Sequence, residues 1–191
     1  MADDPGARAV TIRWTGRPEA DGLLEADPLA LLIGMLLDQQ VKMEKAFSGP
    51  YDLQQRLGGK LDAAAIAAME PEELDRVFRE RPALHRFPGN MARRVQQLCA
   101  AVATEYGNDA GAIWRDAHSG AELARRLRAL PGFGEGKTRI MVSVLGKRFG
   151  VQPAGWEAES ANWHSIADVD SPESMAQARE VKRAMKKEAG A

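Results

Sequence analysis

A nine-residue apolar segment, Leu29–Leu37, constrains the fold of this chain more than any other feature of its sequence. The preceding Asp27 and Pro28 are typical of a helix N-cap followed by proline in the first turn. Because the segment is apolar on nearly every side, the helix that it forms must be buried all round. It is far too short to cross a bilayer, so the rest of the chain has to fold around it.

Most of the remaining chain also predicts short helices with short joints. Hydrophobic residues make up 45% of the chain but aromatic ones only 6%, so aliphatic side chains must supply the core. Val10–Trp14 alternates apolar and polar residues and predicts the one short strand in an otherwise all-α fold. Helices are predicted at Met43–Phe47, Leu53–Leu57, Asp62–Met69, Pro71–Arg79 and Gly89–Tyr106, after the capping box Ser119–Glu122, after Gly134 and after Ser171, with Ser48–Pro50 separating the first two.

Charge is balanced over the whole chain but uneven along it. With 26 basic and 27 acidic residues the formal net charge is −1, so no overall positive field attracts a polyanion. Residues 123–148 nevertheless contain seven basic residues against the single acid Glu135, and residues 81–98 contain four arginines and no acid. We expect any nucleic-acid-binding face to be built from these two stretches.

Cys99 is the single cysteine, which excludes an intramolecular disulfide and a cysteine cluster for zinc or iron–sulfur. It falls on the apolar side of its predicted helix, which favours a packed thiol over a reactive one. We therefore expect no metal cofactor. Met1–Val10 has two aspartates and no apolar stretch, so we expect no signal peptide and a cytoplasmic protein, nucleoid-associated if the source is bacterial.

The segment Leu130–Thr138 reads Leu-Pro-Gly-Phe-Gly-Glu-Gly-Lys-Thr and joins two predicted helices. Its glycines allow a tight turn and leave the first amides of the second helix pointing outward. A helix N-terminus of this kind binds anions such as phosphate, and Lys137 and Arg139 would add positive charge. The alternative is a plain helix connection in which the glycines only make the turn.

The pattern Leu-Pro-Gly-hydrophobic-Gly matches the helix-hairpin-helix motif, and the chain resembles the endonuclease III-like (HhH-GPD) superfamily of base-excision DNA glycosylases. Three stretches carry the resemblance in the family's order: Leu31–Gln40, Phe87–Cys99 and Leu130–Leu145. The resemblance implies a two-lobed all-α fold with the DNA cleft between the lobes. Residues 28–137 would form a helical barrel, and residues 1–27 with 138–191, including a basic C-terminal tail, the second lobe.

Members of this superfamily rotate a damaged or mispaired nucleotide out of double-stranded DNA into a pocket. The resemblance implies that Gln40 fills the gap left in the duplex and that Asp38 and Gln39 line the same cleft. The alternative is a polar helix end that only faces solvent. The implied DNA-binding residues of the hairpin are Gly132, Phe133, Gly134, Gly136, Lys137 and Arg139, and a monovalent cation at the hairpin is a further candidate ligand.

The resemblance also implies a carboxylate, about twenty residues after the hairpin, that stabilises the positive charge developing on the sugar. Direct counting reaches Ala154, which has no carboxylate, whereas alignment on Phe149 and Gly150 reaches Glu157. Glu157 is therefore the candidate catalytic residue, and the alternative is a solvated loop glutamate. Poorer candidates are Glu159, Asp168 and Asp170.

Bifunctional members of the superfamily use a lysine in the second helix of the hairpin as a nucleophile. Its usual position is Gly136 in this chain, and Lys137, one residue later, lies about 100° around the helix and is expected to face phosphate. The resemblance therefore implies hydrolytic base removal without strand cleavage and without an iron–sulfur cluster.

The region after the hairpin has weaker signals. Trp163 is expected to close a small core, whereas Trp156 either stacks on the displaced base or packs in the same way. Arg179–Lys187, with five basic residues and one acid, is expected to be a solvated helix end.

Three functions therefore remain for the chain. The favoured one is a monomeric DNA N-glycosylase. A second is a non-catalytic protein that recognises damaged or distorted duplex, and a third is a helical protein-interaction module in which the hairpin is only a turn. Nothing in the sequence identifies the altered base.

Overall fold

The structure is a computed structural model that describes residues 11–190. Met1–Val10, for which no signal peptide is predicted, and Ala191 lie outside this range. Within it the chain forms eleven α-helices and one 3₁₀ turn, with no β-strand. The helices are α1 (Pro18–Ala26), α2 (Pro28–Leu37), α3 (Met43–Arg56), α4 (Ala63–Ala68), α5 (Pro71–Arg79), α6 (Pro88–Glu105), α7 (Ala112–Arg115), α8 (Gly120–Arg128), α9 (Glu135–Arg148), α10 (Trp156–Glu159) and α11 (Pro172–Ala189), and the 3₁₀ turn is Ile166–Asp168.

Helix α2 lies at the centre of the first half of the chain, as its apolar sequence predicts. Every residue of Leu29–Leu37 is buried. The Asp27 carboxylate accepts a hydrogen bond from the amide of Leu29 at 2.9 Å and so caps the helix. Helices α1, α3 and α6 pack against α2. The burial that the sequence requires is therefore supplied by neighbours on several sides.

Helices α4 and α5 pack against α6 and complete this half of the core. Cys99 is fully buried in α6, and burial raises the pKa of its thiol to about 12. A thiol held in the protonated form is a weak nucleophile. The prediction of a packed cysteine is confirmed.

The second half of the chain is organised around the hairpin between α8 and α9. Ser119 caps α8 by accepting a hydrogen bond from the amide of Glu122 at 3.1 Å. Helix α10 packs against α8 and α9, the 3₁₀ turn packs against α9, and α11 packs against the 3₁₀ turn. The guanidinium of Arg148 donates to the carbonyls of Ala167 and Val169 and fixes the 3₁₀ turn on α9.

The predicted strand at Val10–Trp14 is wrong for the part that the structure describes, and Val10 lies outside it. Ile12 and Trp14 are buried, so the alternation does mark an extended segment with one apolar side. Its amides, however, bond to side chains of α1, since Trp14 donates to the Asp21 carboxylate at 3.1 Å and Ile12 donates to Glu25. Because these amides already have hydrogen-bond acceptors, the segment is stabilised without pairing to a second strand.

The predicted break at Ser48–Pro50 is also wrong, because α3 continues through it. Proline in a helix interior costs about 3 kcal/mol, since it lacks the amide that would bond to the preceding turn. Here Phe47, Gly49 and Pro50 are all buried on the helix surface that meets its neighbours. Burial of this apolar surface offsets the cost of the proline.

The all-α fold class is confirmed, and the helix order agrees with the helix-hairpin-helix resemblance. The division into lobes at residues 28–137 stays a prediction. The indole nitrogen of Trp14 donates to the carbonyl of Val169 at 3.3 Å, which ties the first described segment to the end of the 3₁₀ turn. None of the helices within residues 11–190 combines the length and the apolar composition that a bilayer span needs.

Candidate functional site

A pocket of about 270 Å³ lies where the end of α2, the start of α9 and the face of α11 meet. It is mostly apolar, and three methionines contribute to its wall. Asp38, Lys137 and Lys182 are the charged side chains in it. The wall is formed by Met35, Asp38, Met43, Gly136, Lys137, Ile140, Trp163, His164, Ser165, Ile166, Ala178, Lys182 and Met185.

An open groove of about 800 Å³ adjoins this pocket, and the two share Asp38, Met43 and Lys182. Six of the side chains along the groove are basic, and within residues 11–190 Asp38 is the one acid that lines it. The groove is lined by Asp38, Gln39, Gln40, Val41, Lys42, Met43, Arg86, Arg179, Lys182, Arg183 and Lys186. Its size and its charge suit a polyanion, whereas the smaller, mostly apolar pocket suits an apolar group.

The hairpin is anchored to the end of α2 next to the pocket. Gly132 has φ +85°, and a Cβ there would lie 2.2 Å from a terminal carbon of Leu36, so glycine is required at this position. Phe133 is buried and holds the turn in the core. The prediction that Phe133 contacts DNA is therefore not supported by its position.

Gly134 and Gly136 have a different environment from Gly132. Neither has a positive φ, and a Cβ on either would meet nothing within 4 Å. Gly134 precedes α9 and offers no side chain to cap it, so the first amides of α9 have no capping side chain within the described residues. The fold itself does not require glycine at these two positions, which are open to the outside.

Lys137 faces the pocket instead of the outside of the hairpin. Its ammonium group donates to the carbonyl of Met35 at 2.6 Å and to that of Leu36 at 3.3 Å, at the C-terminal end of α2. Burial lowers the pKa of Lys137 to about 8; the Asp38 charge opposes this shift, while Lys182 and Arg94 add to it. The expectation that Lys137 faces phosphate is not met in this structure.

Arg139 is engaged within the protein. Its guanidinium donates to the carbonyls of Ala158 and Ser160 at 3.1 and 2.9 Å, and it lies 3.4 Å from the Glu135 carboxylate. These bonds hold the end of α10 against α9. The predicted contact between Arg139 and a phosphate would therefore compete with three internal partners.

Most basic side chains of the stretch at residues 123–148 are engaged within the protein, so they do not stand free for a nucleic acid. Arg126 donates to the carbonyls of Ala112 and Ile113, Arg128 pairs with Glu135 at 2.6 Å, and Lys147 pairs with Asp168 at 2.5 Å. Most of these side chains support the fold. The basic groove is built from α11, Lys42 and Arg86, the last of which belongs to the second basic stretch, residues 81–98.

Gln39 and Gln40 are adjacent but differ in role. The amide of Gln39 is used internally, since it donates to the carbonyl of Leu36 at 3.1 Å and accepts from Arg94 at 3.0 Å. Gln40 is exposed on the groove and has φ +56°, a left-handed conformation that turns its residue out of the helix direction. Both residues line the groove. Of the two, only Gln40 has a side-chain amide with no hydrogen-bond partner among the described residues.

His85 is a supporting residue that sequence reasoning missed. Its Nε2 lies 3.1 Å from the carbonyl of Leu37 and 3.0 Å from that of Gln39, while its Nδ1 accepts from the amide of Phe87. These bonds require a neutral ring with the proton on Nε2, and burial lowers the pKa of His85 accordingly. This ring therefore fixes the backbone of the segment at residues 38–40, which follows the end of α2. A lone histidine between Leu84 and Arg86 carries no sequence signal for such a role.

Helix α11 is held by ion pairs to the end of α2 and to the first turn of α3. Lys182 donates to the Asp38 carboxylate at 2.5 Å, and Arg179 pairs with Glu44 of α3. The tail predicted as a solvated helix end is therefore docked at these two residues. Arg183 and Lys186 remain exposed along the groove.

The two tryptophans have different environments, and only that of Trp163 differs from the expectation. Trp156 packs on α9, where a Cβ at Gly146 would lie 2.2 Å from its ring, so it belongs to the core. Trp163, which was expected to close a core, is half-buried and lines the pocket. Tertiary packing alone separates these two positions.

Glu157, the candidate catalytic residue, is exposed on α10 and does not line the pocket or the groove. This position does not support the predicted role in stabilising a sugar cation. Two of the poorer candidates, Asp168 and Asp170, also line neither the pocket nor the groove. Asp168 pairs with Lys147 and caps the 3₁₀ turn, and Asp170 is exposed. Within residues 11–190, Asp38 is the one acidic residue that lines the pocket.

Metal ligation has no candidate cluster in the part of the chain that the structure describes, since no three His, Cys, Asp or Glu residues are grouped for it. The monovalent cation at the hairpin stays a prediction.

Comparison with known proteins identifies one protein family. A family model described as "HhH-GPD superfamily base excision DNA repair protein" matches residues 33–182, which include the end of α2, the hairpin and most of α11. No curated protein and no solved structure gives a significant match. The three stretches that carry the resemblance in the sequence fall largely within the matched range.

Proposed function

The chain belongs to the HhH-GPD superfamily of base excision DNA repair proteins, and from this we propose that it removes an altered base from double-stranded DNA. Membership of the family implies DNA binding. The finer activity that we propose is that of a monofunctional DNA glycosylase, which hydrolyses the bond between base and sugar and leaves the strand intact.

The observation that carries this proposal is the continuity of the basic groove with the apolar pocket. A duplex lying along the groove would place its phosphates near Arg183, Lys186 and Arg86. A nucleotide rotated out of the duplex would then enter the pocket, whose volume of about 270 Å³ is large enough for one base. The open start of α9 lies at the pocket wall through Gly136, where its amides can meet the phosphate of that nucleotide.

Gln40 is the residue that we propose to occupy the gap in the duplex. It stands at the groove next to the pocket, and its amide group can both donate and accept hydrogen bonds with an unpaired base. His85 holds the backbone of residues 37–39 in place, so Gln40 would enter the base stack from a rigid segment. Without such a residue, the base opposite the displaced nucleotide would be left with unsatisfied hydrogen-bonding groups.

The proposed absence of a lyase step rests on the engagement of Lys137. Its ammonium group donates to two carbonyls of α2, and a nucleophilic amine needs a free electron pair. Attack on the sugar would require the lysine to leave both partners. We therefore assign water as the nucleophile.

A base-release assay on a panel of duplexes tests the proposal. The duplexes carry uracil, alkylated, oxidised and deaminated bases, and alkali converts each abasic product into a strand break. We expect alkali-dependent breaks for one class of lesion, and loss of activity in the double variant Arg183→Ala, Lys186→Ala because DNA binding is weakened.

A second candidate function is recognition of damaged duplex without catalysis. The exposed position of Glu157 favours it, because the carboxylate implied by the family resemblance is then missing from its usual region. Tight binding to lesion-bearing duplexes without base release in any of them would establish this alternative. Negligible DNA affinity at low salt would exclude both functions.

A further inference from the structure

We propose that Asp38 supplies the carboxylate that stabilises the positively charged sugar during base removal. This inference rests on the proposed function, and it places the catalytic group at the end of α2 instead of after the hairpin. It follows from where the acidic side chains of the described chain lie relative to the pocket.

The chemistry requires an anionic group beside the reacting sugar. The bond between C1′ and the base nitrogen breaks, and its electron pair leaves with the base, which takes up a proton from solvent. The sugar is left with a positive charge shared between C1′ and its ring oxygen. Water then forms a bond to C1′ and gives its proton to the carboxylate. A fixed carboxylate near C1′ lowers the energy of this cation and accepts that proton.

Asp38 meets the positional requirement for this role. It lines both the groove and the pocket, so it lies where a nucleotide passes from the duplex into the pocket. Its side chain is only 11% exposed, which removes it from most of the solvent that would screen its charge. Within residues 11–190 no other acidic residue lines either cavity.

The surroundings hold the Asp38 carboxylate in a defined orientation. The backbone amide of Asp38 bonds to the carbonyl of Met35 and closes the last turn of α2. Lys182 donates to one carboxylate oxygen, Oδ1, at 2.5 Å. Oδ2 has no protein donor among the contacts of the described residues, so it is the oxygen available to the sugar.

Binding of a charged abasic analogue tests the inference without knowledge of the altered base. One duplex contains a pyrrolidine ring in place of the sugar, which is cationic at pH 7, and a matched duplex contains a neutral tetrahydrofuran ring. We expect the wild-type protein to bind the pyrrolidine duplex at least about tenfold more tightly, because it resembles the sugar cation. Asp38→Asn should abolish this preference, because the two duplexes then differ little in affinity whatever the change in overall DNA binding.

Two further variants separate charge from structure. Asp38→Glu retains the charge and should retain part of the preference. Asp116→Asn removes an exposed aspartate at the end of α7 that lines neither cavity, and it should change neither affinity. Thermal unfolding of each variant shows whether it is folded. If Asp38→Asn is not folded, the test is made with Asp38→Glu. Loss of the preference for the pyrrolidine duplex in that charged variant would overturn the inference.

Each remaining outcome is decisive. A preference for the pyrrolidine duplex that persists in folded Asp38→Asn overturns the inference, as does a wild-type protein that releases base but binds both duplexes equally. In those cases the proposed function stands. A wild-type protein that binds neither duplex and releases no base contradicts the proposed function itself.

Discussion

The ammonium group of Lys182 donates to the Asp38 carboxylate at 2.5 Å, across 144 residues of sequence. This pair joins the C-terminal helix α11 to the end of the buried helix α2. It also lies on the boundary between the basic groove and the apolar pocket, since both residues line both cavities. The basic tail is therefore part of the candidate site.

The first prediction concerns the basic face of α11. Replacement of Arg183 and Lys186 by alanine removes two exposed charges from the groove. If each contacts a phosphate, the slope of log affinity against log salt should fall by about 0.9 per lost contact. Fluorescence anisotropy with a labelled duplex at several salt concentrations measures this slope. Lys187→Ala, at a neighbouring position that does not line the groove, is the matched control, and an equal effect there would contradict the prediction.

A second prediction separates the glycines of the hairpin. Gly136→Ala should leave the free energy of unfolding unchanged or raise it by up to about 1 kcal/mol, because alanine favours a helix. It should nevertheless weaken DNA binding, since a methyl group would stand among the open amides of α9. Gly132→Ala should instead cost about 1–3 kcal/mol of stability, because φ is +85° and Leu36 occupies the space. Urea unfolding and duplex binding of both variants measure these effects. Unchanged DNA affinity in Gly136→Ala would show that the amides do not approach phosphate.

The side chain of Gln40 provides a third test. Because φ is +56°, glycine and asparagine both fit the backbone at this position. Gln40→Gly removes the amide group and should slow base release by about 10-fold or more, since the gap in the duplex stays empty. Gln40→Asn keeps a shorter amide and should retain more activity. Equal rates in the two variants, measured under single-turnover conditions, would exclude a role for the amide.

Trapping with borohydride tests the assignment of water as the nucleophile. We expect no covalent complex between the protein and abasic-site DNA at pH 8, because Lys137 donates to Met35 and Leu36. This pH is a stringent test, because Lys137 has a pKa of about 8 and roughly half of its amino groups are therefore neutral and able to act as nucleophiles. A trapped complex that Lys137→Met abolishes and Lys182→Met retains would show that the protein is bifunctional.

A last prediction follows from the buried ring of His85. Burial lowers the pKa of His85 below its usual value of 6.5, so the unfolded chain binds a proton at a higher pH than the folded chain does. The stability contributed by the neutral ring is complete above about pH 6.5 and is lost as the pH falls through the folded-state pKa. Urea unfolding at pH 7.5 and 5.5 should show a larger loss for the wild type than for His85→Gln. Equal losses would mean that another group controls the acid sensitivity.

Local patterns accounted for much of the fold. Capping residues such as Asp27 and Ser119 begin their helices as predicted, because a cap depends on a few consecutive residues. The break predicted at Pro50 failed for the opposite reason. Whether a proline ends a helix depends on how much apolar surface its helix buries against others, and that surface belongs to distant parts of the chain.

The candidate site shows the same division. The position of the hairpin and of Gln40 followed from the sequence, whereas the exposed position of Glu157, outside the pocket, did not. Sequence spacing counts residues along one segment, but the carboxylate nearest the pocket is decided by which helices meet there. The interactions of the arginines and lysines at residues 123–148 could not be predicted either, because most of them involve carbonyl or carboxylate groups from other segments of the chain.

The sequence by itself determined that α2 must be buried, that most of the chain is helical, and that a glycine hairpin joins two helices. These properties follow from the polarity and backbone preferences of neighbouring residues. Only the tertiary structure decided that Lys137 points inward, that α11 closes the pocket and that Lys182 meets Asp38. Long-range contacts bring these charges together, and their directions depend on packing that no local stretch of sequence specifies.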